Sequence, residues 1–302
     1  MISIIICSIN PDYLDKVTQN IAATIGVPYE LLVKDNRQDN LPICQVYNQQ
    51  AALAKYDLLL FLHEDVVFHS QQWGQDLVKI FKEVPNIGVV GLAGSAYKSA
   101  ALSGWYTGVK ELDAYRVLHN IAGRHVWLQH SPDENKLLHQ AVCVDGVFIA
   151  TTRENWKNIQ FNEAELKGFH FYDLDFSIRT HKQNRAVFIW LGVHLEHITQ
   201  GGDFGTTWVK EAFHFHTYMQ TQLPACLNNT KVNDLKIANT WLDYLKTYRI
   251  TPGLKIKWVR QQKLYLHPAL YYNILKFFIY QPFRLSVIHE LFKGKQPLSQ
   301  AQ

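Results

Sequence analysis

The chain has 302 residues, with 30 Lys and Arg against 26 Asp and Glu, and nearly half of its residues are hydrophobic. Such a composition excludes a disordered or low-complexity chain and supplies core enough for one large α/β domain, alone or with a helical appendage. Charge is uneven: ten of the basic residues but only one acid, Glu290, lie from residue 246 to the C-terminus. A mildly acidic body with a strongly basic tail points to an anionic partner, a membrane or a nucleic acid.

No uninterrupted apolar run approaches the ~20 residues that a membrane-spanning helix needs. The opening Ile2-Ser3-Ile4-Ile5-Ile6-Cys7 lacks a basic leader and reads as a first strand, not a signal peptide. Cys7, Cys44, Cys143 and Cys226 are far apart with no C-x-x-C spacing, as expected of free thiols in a reducing cytoplasm.

Residues 2–9 form a strand ending in the turn Asn10-Pro11. A helical pattern over 12–25 (Leu14, Val17, Ile21, Ile25) closes at Gly26. A second strand over 30–34 ends at Asp35-Asn36, a helix covers 41–54, and a third strand covers 57–62. This alternation predicts a parallel sheet with right-handed crossovers. No G-x-G-x-x-G follows the first strand, so a dinucleotide fold would lack its phosphate loop.

A helix near 71–83 leads to a strand at 87–91. Residues 93–140 have weak periodicity and read as hairpins and loops over one face of the sheet. Residues 141–152 are strand-like, and Asp145-Gly146 within them suits a hairpin turn or a ligand-facing bulge equally well. A helix opens at Tyr172-Asp173-Leu174-Asp175, where two acids complement the helix dipole as readily as they do chemistry. After a strand at 186–193 come His194 and His197, then Gly201-Gly202-Asp203-Phe204-Gly205, a loop able to fold over a ligand. Helices are expected at 206–221 and 231–248, the second with Leu235, Ala238, Trp241, Leu242 and Leu245 on one face. The tail interleaves aromatic and basic residues, a pattern that suits a membrane interface or stacked bases.

Residues 56–66 organise the rest. The apolar run Leu58-Leu59-Leu60-Phe61-Leu62 stops abruptly on His63-Glu64-Asp65. Such a run reads as a strand buried on both faces, and ligands of open α/β sheets bind just beyond the carboxyl ends of their strands.

With these pieces in order, residues 2–205 resemble the family-two glycosyltransferases of the GT-A fold, in a form with His-x-Asp-Val in place of Asp-x-Asp. The resemblance implies an α/β domain over 1–225, a mixed, mostly parallel sheet with helices on both faces, followed by a helical, basic and aromatic extension over 226–302. It implies a nucleotide-sugar site that includes Ser8, Asn10, Asp35, Asn48, His63, Glu64 and Arg179. Asp35 would meet the base, and Asp65, with His197 or His194, would hold Mn2+ or Mg2+. Asp173 would be the general base of an inverting transfer. Tyr172 replaces the Glu of the family's E-D pair, and His63 replaces the first acid of D-x-D. The implied activity is transfer from a nucleotide sugar, with a uridine diphosphate sugar favoured, to a glycan of lipopolysaccharide, capsule or a lipid-linked oligosaccharide. The setting would be cytoplasmic, with residues 246–302 touching the inner membrane and no nucleic-acid partner. Two other readings stand beside it. A nucleotidyltransferase would carry a glycine-rich basic loop after the first strand, which Ile9-Asn10-Pro11-Asp12 does not provide. In a non-catalytic binding protein, His63 and Tyr172 would mark a decayed site.

Overall fold

A computed structural model describes residues 1–121, 124–198, 205–227, 230 and 232–279. The chain opens with β1 (Ile2–Ser8), α1 (Pro11–Thr24), β2 (Tyr29–Asp35), α2 (Ile43–Leu53) and β3 (Leu58–Leu62). Asn10 starts α1 because its side chain accepts the backbone N–H groups of Asp12 and Tyr13, with Pro11 at the first helical position. β1 runs parallel to both β2 and β3. Ile4 and Ile6 pack with Val17, Ile21 and Trp73 on one side of the sheet. Ile5 and Phe61 pack with Tyr47 and Phe176 on the other. Apolar residues at consecutive positions therefore have separate cores to enter, which is why β3 reads as a run and not as an alternation.

β4 (Val66–Phe68), α3 (Trp73–Glu83) and β5 (Ile87–Gly91) follow. Residues 93–152 then build more than hairpins: β6 (Ala93–Ser95), β7 (Tyr97–Lys98), β8 (Asp113–Ile121), β9 (Arg124–His130), β10 (Leu138–Ala141), β11 (Cys143–Val144) and β12 (Phe148–Thr152). The remaining elements are α4 (Arg153–Ile159), α5 (Tyr172–Lys182), β13 (Ala186–Trp190), β14 (Leu195–His197), α6 (Thr206–Tyr218), β15 (Ala225–Cys226), α7 (Asp234–Leu245), α8 (Pro252–Gln261) and α9 (Tyr271–Ile279).

The main sheet has the order β10-β13-β5-β12-β3-β1-β2. Three of its pairings are parallel and three antiparallel. A second sheet, β11-β6-β8-β14-β4 with β9 on β8, stands at its carboxyl edge. Weak periodicity hid this sheet because polar groups are buried in it. Asp113 is one: its carboxylate accepts the N–H groups of Thr107 and Gly108 and the Thr107 hydroxyl. β11 belongs to the second sheet and β12 to the main one. Asp145-Gly146 therefore joins two sheets and is no hairpin turn.

The C-terminal helices are built into this body. Residues of α6, α7, α8 and α9 share one apolar core with the main sheet, and Trp208 stacks on Trp241 with ring centroids 5.0 Å apart. An edge between domains at residue 225 falls inside β15, which pairs with β7. The backbone N–H of Leu102 also donates to the Gln262 side chain.

Candidate active site

β3 ends at Leu62, and the His63 N–H donates to the Val147 carbonyl, turning the chain toward the second sheet. β14 pairs with β4 so that His197 lies opposite Val66, and the Ile198 N–H donates to the Asp65 carbonyl. These backbone ties bring one ligand atom from each of His63, Asp65 and His197 within 4.8 Å of one another. His197 Nε2 lies 3.2 Å from Asp65 Oδ2, and His63 Nδ1 lies 3.9 Å from Asp65 Oδ1. Although close to the carboxylate, the buried His197 Nε2 makes no hydrogen bond. Buried polar atoms normally have partners, and an orphan of this kind marks the place of an ion or other ligand. Two imidazoles and a carboxylate are a donor set for a first-row divalent cation, so these residues fit one.

Tyr172 fixes which nitrogen of His63 faces the cluster. The Tyr172 hydroxyl donates to the Gly146 carbonyl at 3.1 Å and lies 2.8 Å from His63 Nε2. The hydrogen bond between the Tyr172 hydroxyl and Nε2 leaves Nδ1 facing Asp65. Burial, and then the neighbouring His197, push the His63 pKa down and keep the ring neutral, as a metal-ligating imidazole must be. Only glycine suits position 146: a Cβ there would stand 2.2 Å from the Tyr172 hydroxyl and 3.3 Å from Asp173 Oδ2.

Asp173 is the next residue on α5. Burial, then repulsion from Asp145, raise its carboxyl pKa to about 7, against weaker stabilisation by backbone N–H groups including that of Leu174. Asp145 is held by the Trp105 indole N–H and the Val147 N–H. α5 begins after Phe171, whose φ of 67° is left-handed. A bulky residue there is strained by about 1–3 kcal/mol, and such strain gathers at functional sites. Stacking of Phe171 on Phe215, 4.9 Å between centroids, holds it in place.

His63, Asp145, Gly146, Tyr172, Asp173 and His197 line a cavity of about 250 Å³. Its remaining walls are largely aromatic, with Trp105, Tyr106, Tyr115 and Phe169 from the body and Trp241 and Tyr244 from α7. Phe169 is 48 % exposed, and its ring lies 5.8 Å from that of His63.

The other residues singled out from the sequence lie apart from this cavity. The Glu64 carboxylate accepts the Ser8 hydroxyl at 2.6 Å and the N–H groups of Ile9 and Asn10. Ser8, Asn10 and Glu64 thus form a clasp between the ends of β1 and β3. Asp35 stands beside Ser8 in the parallel register. It is exposed and paired with Arg37, whose hydrogen bonds hold its pKa down at about 2. Asn48 is spent on the fold: its amide meets the Phe161 backbone, the Trp156 indole and Glu163. Arg179 is likewise committed, to Asp175 and to the carbonyls of Ile159 and Gln160. Of the two histidines after β13, His197 joins the cluster, whereas the His194 ring lies against Trp127. Gly201, Gly202, Asp203 and Phe204 of the expected loop lie outside the described residues. The sequence reading missed Tyr172 as a partner of His63 and the aromatic walls. Of these, only the aromatic richness of residues 97–130 was a visible signal.

Residues 3–222 match the model of a family described as glycosyltransferase-like. The chain belongs to that family. Its mixed α/β architecture is of the GT-A type. No curated protein matches the chain. Among solved structures, GalNAc-T7 with UDP, GalNAc and Mn2+ aligns at a TM-score of 0.47 and 10 % identity, over 66 % of this chain and 44 % of that one. A197 from STIV aligns at 0.38 and 15 %, over 66 % of this chain and 86 % of that one. The chain thus spans less than half the length of the GalNAc-T7 structure.

Proposed function

We propose that this glycosyltransferase moves a sugar from a nucleotide-sugar donor to a hydroxyl of a glycan acceptor, with inversion, using a divalent cation held by His63, Asp65 and His197. The observation that carries the reading is the convergence of those three side chains, two of which, His63 and His197, line an aromatic cavity that also holds Asp173. A bound cation would neutralise the charge growing on the departing diphosphate. His63, Asp65 and His197 would hold it, and two imidazoles favour Mn2+ over Mg2+, which prefers oxygen donors throughout.

Asp173 takes the acceptor proton. A carboxylate with a pKa of about 7 is far better matched to that task at neutral pH than one near 4. One base and one displacement invert the anomeric centre. The flat rings of Trp105, Tyr106, Tyr115 and Phe169 offer faces on which sugar rings stack, and Asp145 and His119 add polar contacts. The nucleotide lies over the ends of β1 and β2, where Asp35 accepts a base N–H once Arg37 yields; a uridine base offers such a donor. The acceptor is a cell-surface glycan, on lipopolysaccharide, capsule or a lipid carrier, and the reaction takes place on the cytoplasmic side. The four unpaired cysteines support that setting.

A panel of nucleotide sugars incubated with the protein and Mn2+, with release of free nucleotide as the readout, tests this. One donor is expected to be hydrolysed slowly without acceptor, and chelator is expected to stop it. Failure of every donor, together with no Mn2+ binding by calorimetry, would overturn the proposal.

A further inference from the structure

α9 has two apolar faces, and the described body covers only one. Phe277 is fully buried, its carbonyl accepts Lys255 Nζ at 2.6 Å, and Asn273 bonds to Asn239 of α7. At about 100° per residue, Tyr271, Tyr272, Leu275, Phe278 and Ile279 fall together on the opposite side, in an arc of roughly 120°. All five are exposed, by 39 to 68 %. Tyr265 and Leu266, in the turn just before, are exposed as well. Soluble surfaces seldom gather so many large apolar side chains in one stripe, and a stripe of this kind marks a binding face.

The charge around it selects the partner. Residues 246–279 contain seven Lys and Arg and no acid. Lys257, Arg260 and Lys263 are exposed. Lys276 borders the stripe, with its ammonium 4.0 Å from the centroid of the Tyr272 ring. Residues 280–302 lie outside the described structure, but their composition continues the theme, with Arg284, Lys293 and Lys295 among Phe283, Leu285, Ile288 and Phe292. A second copy would bring the same positive charge against itself. An aromatic and aliphatic stripe edged by cations is instead the pattern of a helix lying in the plane of an anionic bilayer. Among the described residues no helix is long and apolar enough to cross a membrane, so the contact is with its surface.

We propose that the outer face of α9 docks this protein on an anionic lipid surface, with Tyr272, Leu275 and Ile279 entering the headgroup layer, Lys276 at its edge meeting acidic headgroups and the basic charge of residues 246–279 drawing the chain to them. The proposal does not depend on the cation site and would survive its failure. If the acceptor is lipid-linked, such docking holds the cavity close to it.

Sedimentation of the full chain with phosphatidylglycerol or phosphatidylcholine vesicles is the test. Binding to the anionic vesicles is expected, weakened by salt, with little binding to the neutral ones. The triple variant Tyr272→Ser, Leu275→Ser, Ile279→Ser is expected to keep the wild-type melting temperature and to bind about tenfold more weakly or worse. Equal binding by variant and wild type would remove the stripe from the contact. Binding by a chain ended at Ile279 but not by the full chain would make residues 280–302 the occupant. A dimer in light scattering that the triple variant turns into a monomer would make it a second copy. Either result overturns the proposal.

Discussion

Tyr172→Phe removes one oxygen and tests the whole chain of reasoning about the cluster. In the wild type that oxygen donates to the Gly146 carbonyl and sits 2.8 Å from His63 Nε2. Without it, the Gly146 carbonyl and the His63 ring nitrogen both lose a partner, at about 1–3 kcal/mol for each group left unsatisfied. A drop in stability alone would say only that Tyr172 is part of the fold. A His63 that binds a cation through Nδ1 carries its proton on Nε2, toward the Tyr172 oxygen; without that oxygen the proton is freed to sit on Nδ1, where it would meet the cation. Loss of the partner that orients a metal-ligating histidine typically costs roughly 10–100-fold in metal affinity. Calorimetric titration of Mn2+ into both proteins, beside urea unfolding, separates the two effects. Nitrogen NMR of His63 without metal reads the tautomer directly, with Nε2 protonated in the wild type and the preference lost in the variant. Gly146→Ala is expected to copy the phenotype, because its Cβ would crowd the same hydroxyl. Unchanged Mn2+ affinity in Tyr172→Phe, with the wild type binding Mn2+ normally, would refute the relay while leaving the cation site standing.

Three further outcomes are expected. Asp65→Ala abolishes turnover and Mn2+ binding, and chelator does the same to the wild type; full activity in chelator without added metal would remove the cation from the reaction. Asp35→Ala weakens uridine diphosphate several-fold in calorimetry, and unchanged affinity would move the base elsewhere. Asp175→Asn loses about 3–5 kcal/mol in urea unfolding, because it breaks a buried pair with Arg179 that also takes the Tyr218 hydroxyl. A stability loss below 1 kcal/mol would show that the pair contributes little.

The first half of the fold was legible because its physics is local. β1 to β3 are apolar runs separated by two helices, the first capped by Asn10, and the abrupt stop at His63-Glu64-Asp65 marks a strand end whatever packs against it. The second sheet was not legible, since Asp113 and Thr107 satisfy each other inside it and so erase the contrast between apolar and polar faces. In the site, Asp65 and His197 could be singled out from their places at strand ends. Their meeting depends on β14 lying beside β4, a pairing between residues about 130 positions apart that no periodicity encodes. Asn48 and Arg179 illustrate the reverse. A polar residue on an amphipathic helix looks available in a sequence, and only packing shows that Trp156 and Asp175 have already taken it.

Asp173 is where the catalytic and structural explanations predict opposite signs. An acid that merely complemented the helix dipole would be stabilised as an anion, and Asp173→Asn would then cost a few tenths to about 1 kcal/mol of stability at neutral pH. The structure gives the contrary environment: burial and Asp145 raise the carboxyl from 3.8 to about 7. A folded-state value above the unfolded one means that the native state holds its proton longer. Stability is then lost as pH rises from about 4 through about 7 and changes no further above that. Asp173→Asn removes this dependence, so the variant is expected to be at least as stable as wild type at pH 8 and to lose its advantage near pH 4. Activity runs the other way, since the base works only when deprotonated. Wild-type kcat/KM is expected to rise with pH to a plateau above about 7, and the variant to lose roughly 10²–10⁴ in turnover while still binding Mn2+ and donor. Urea unfolding across pH and a pH–rate profile measure the two curves on the same proteins. A variant that is less stable at pH 8 and turns over normally would return Asp173 to the helix dipole, and the base would have to be sought among the other acids of the cavity, beginning with Asp145.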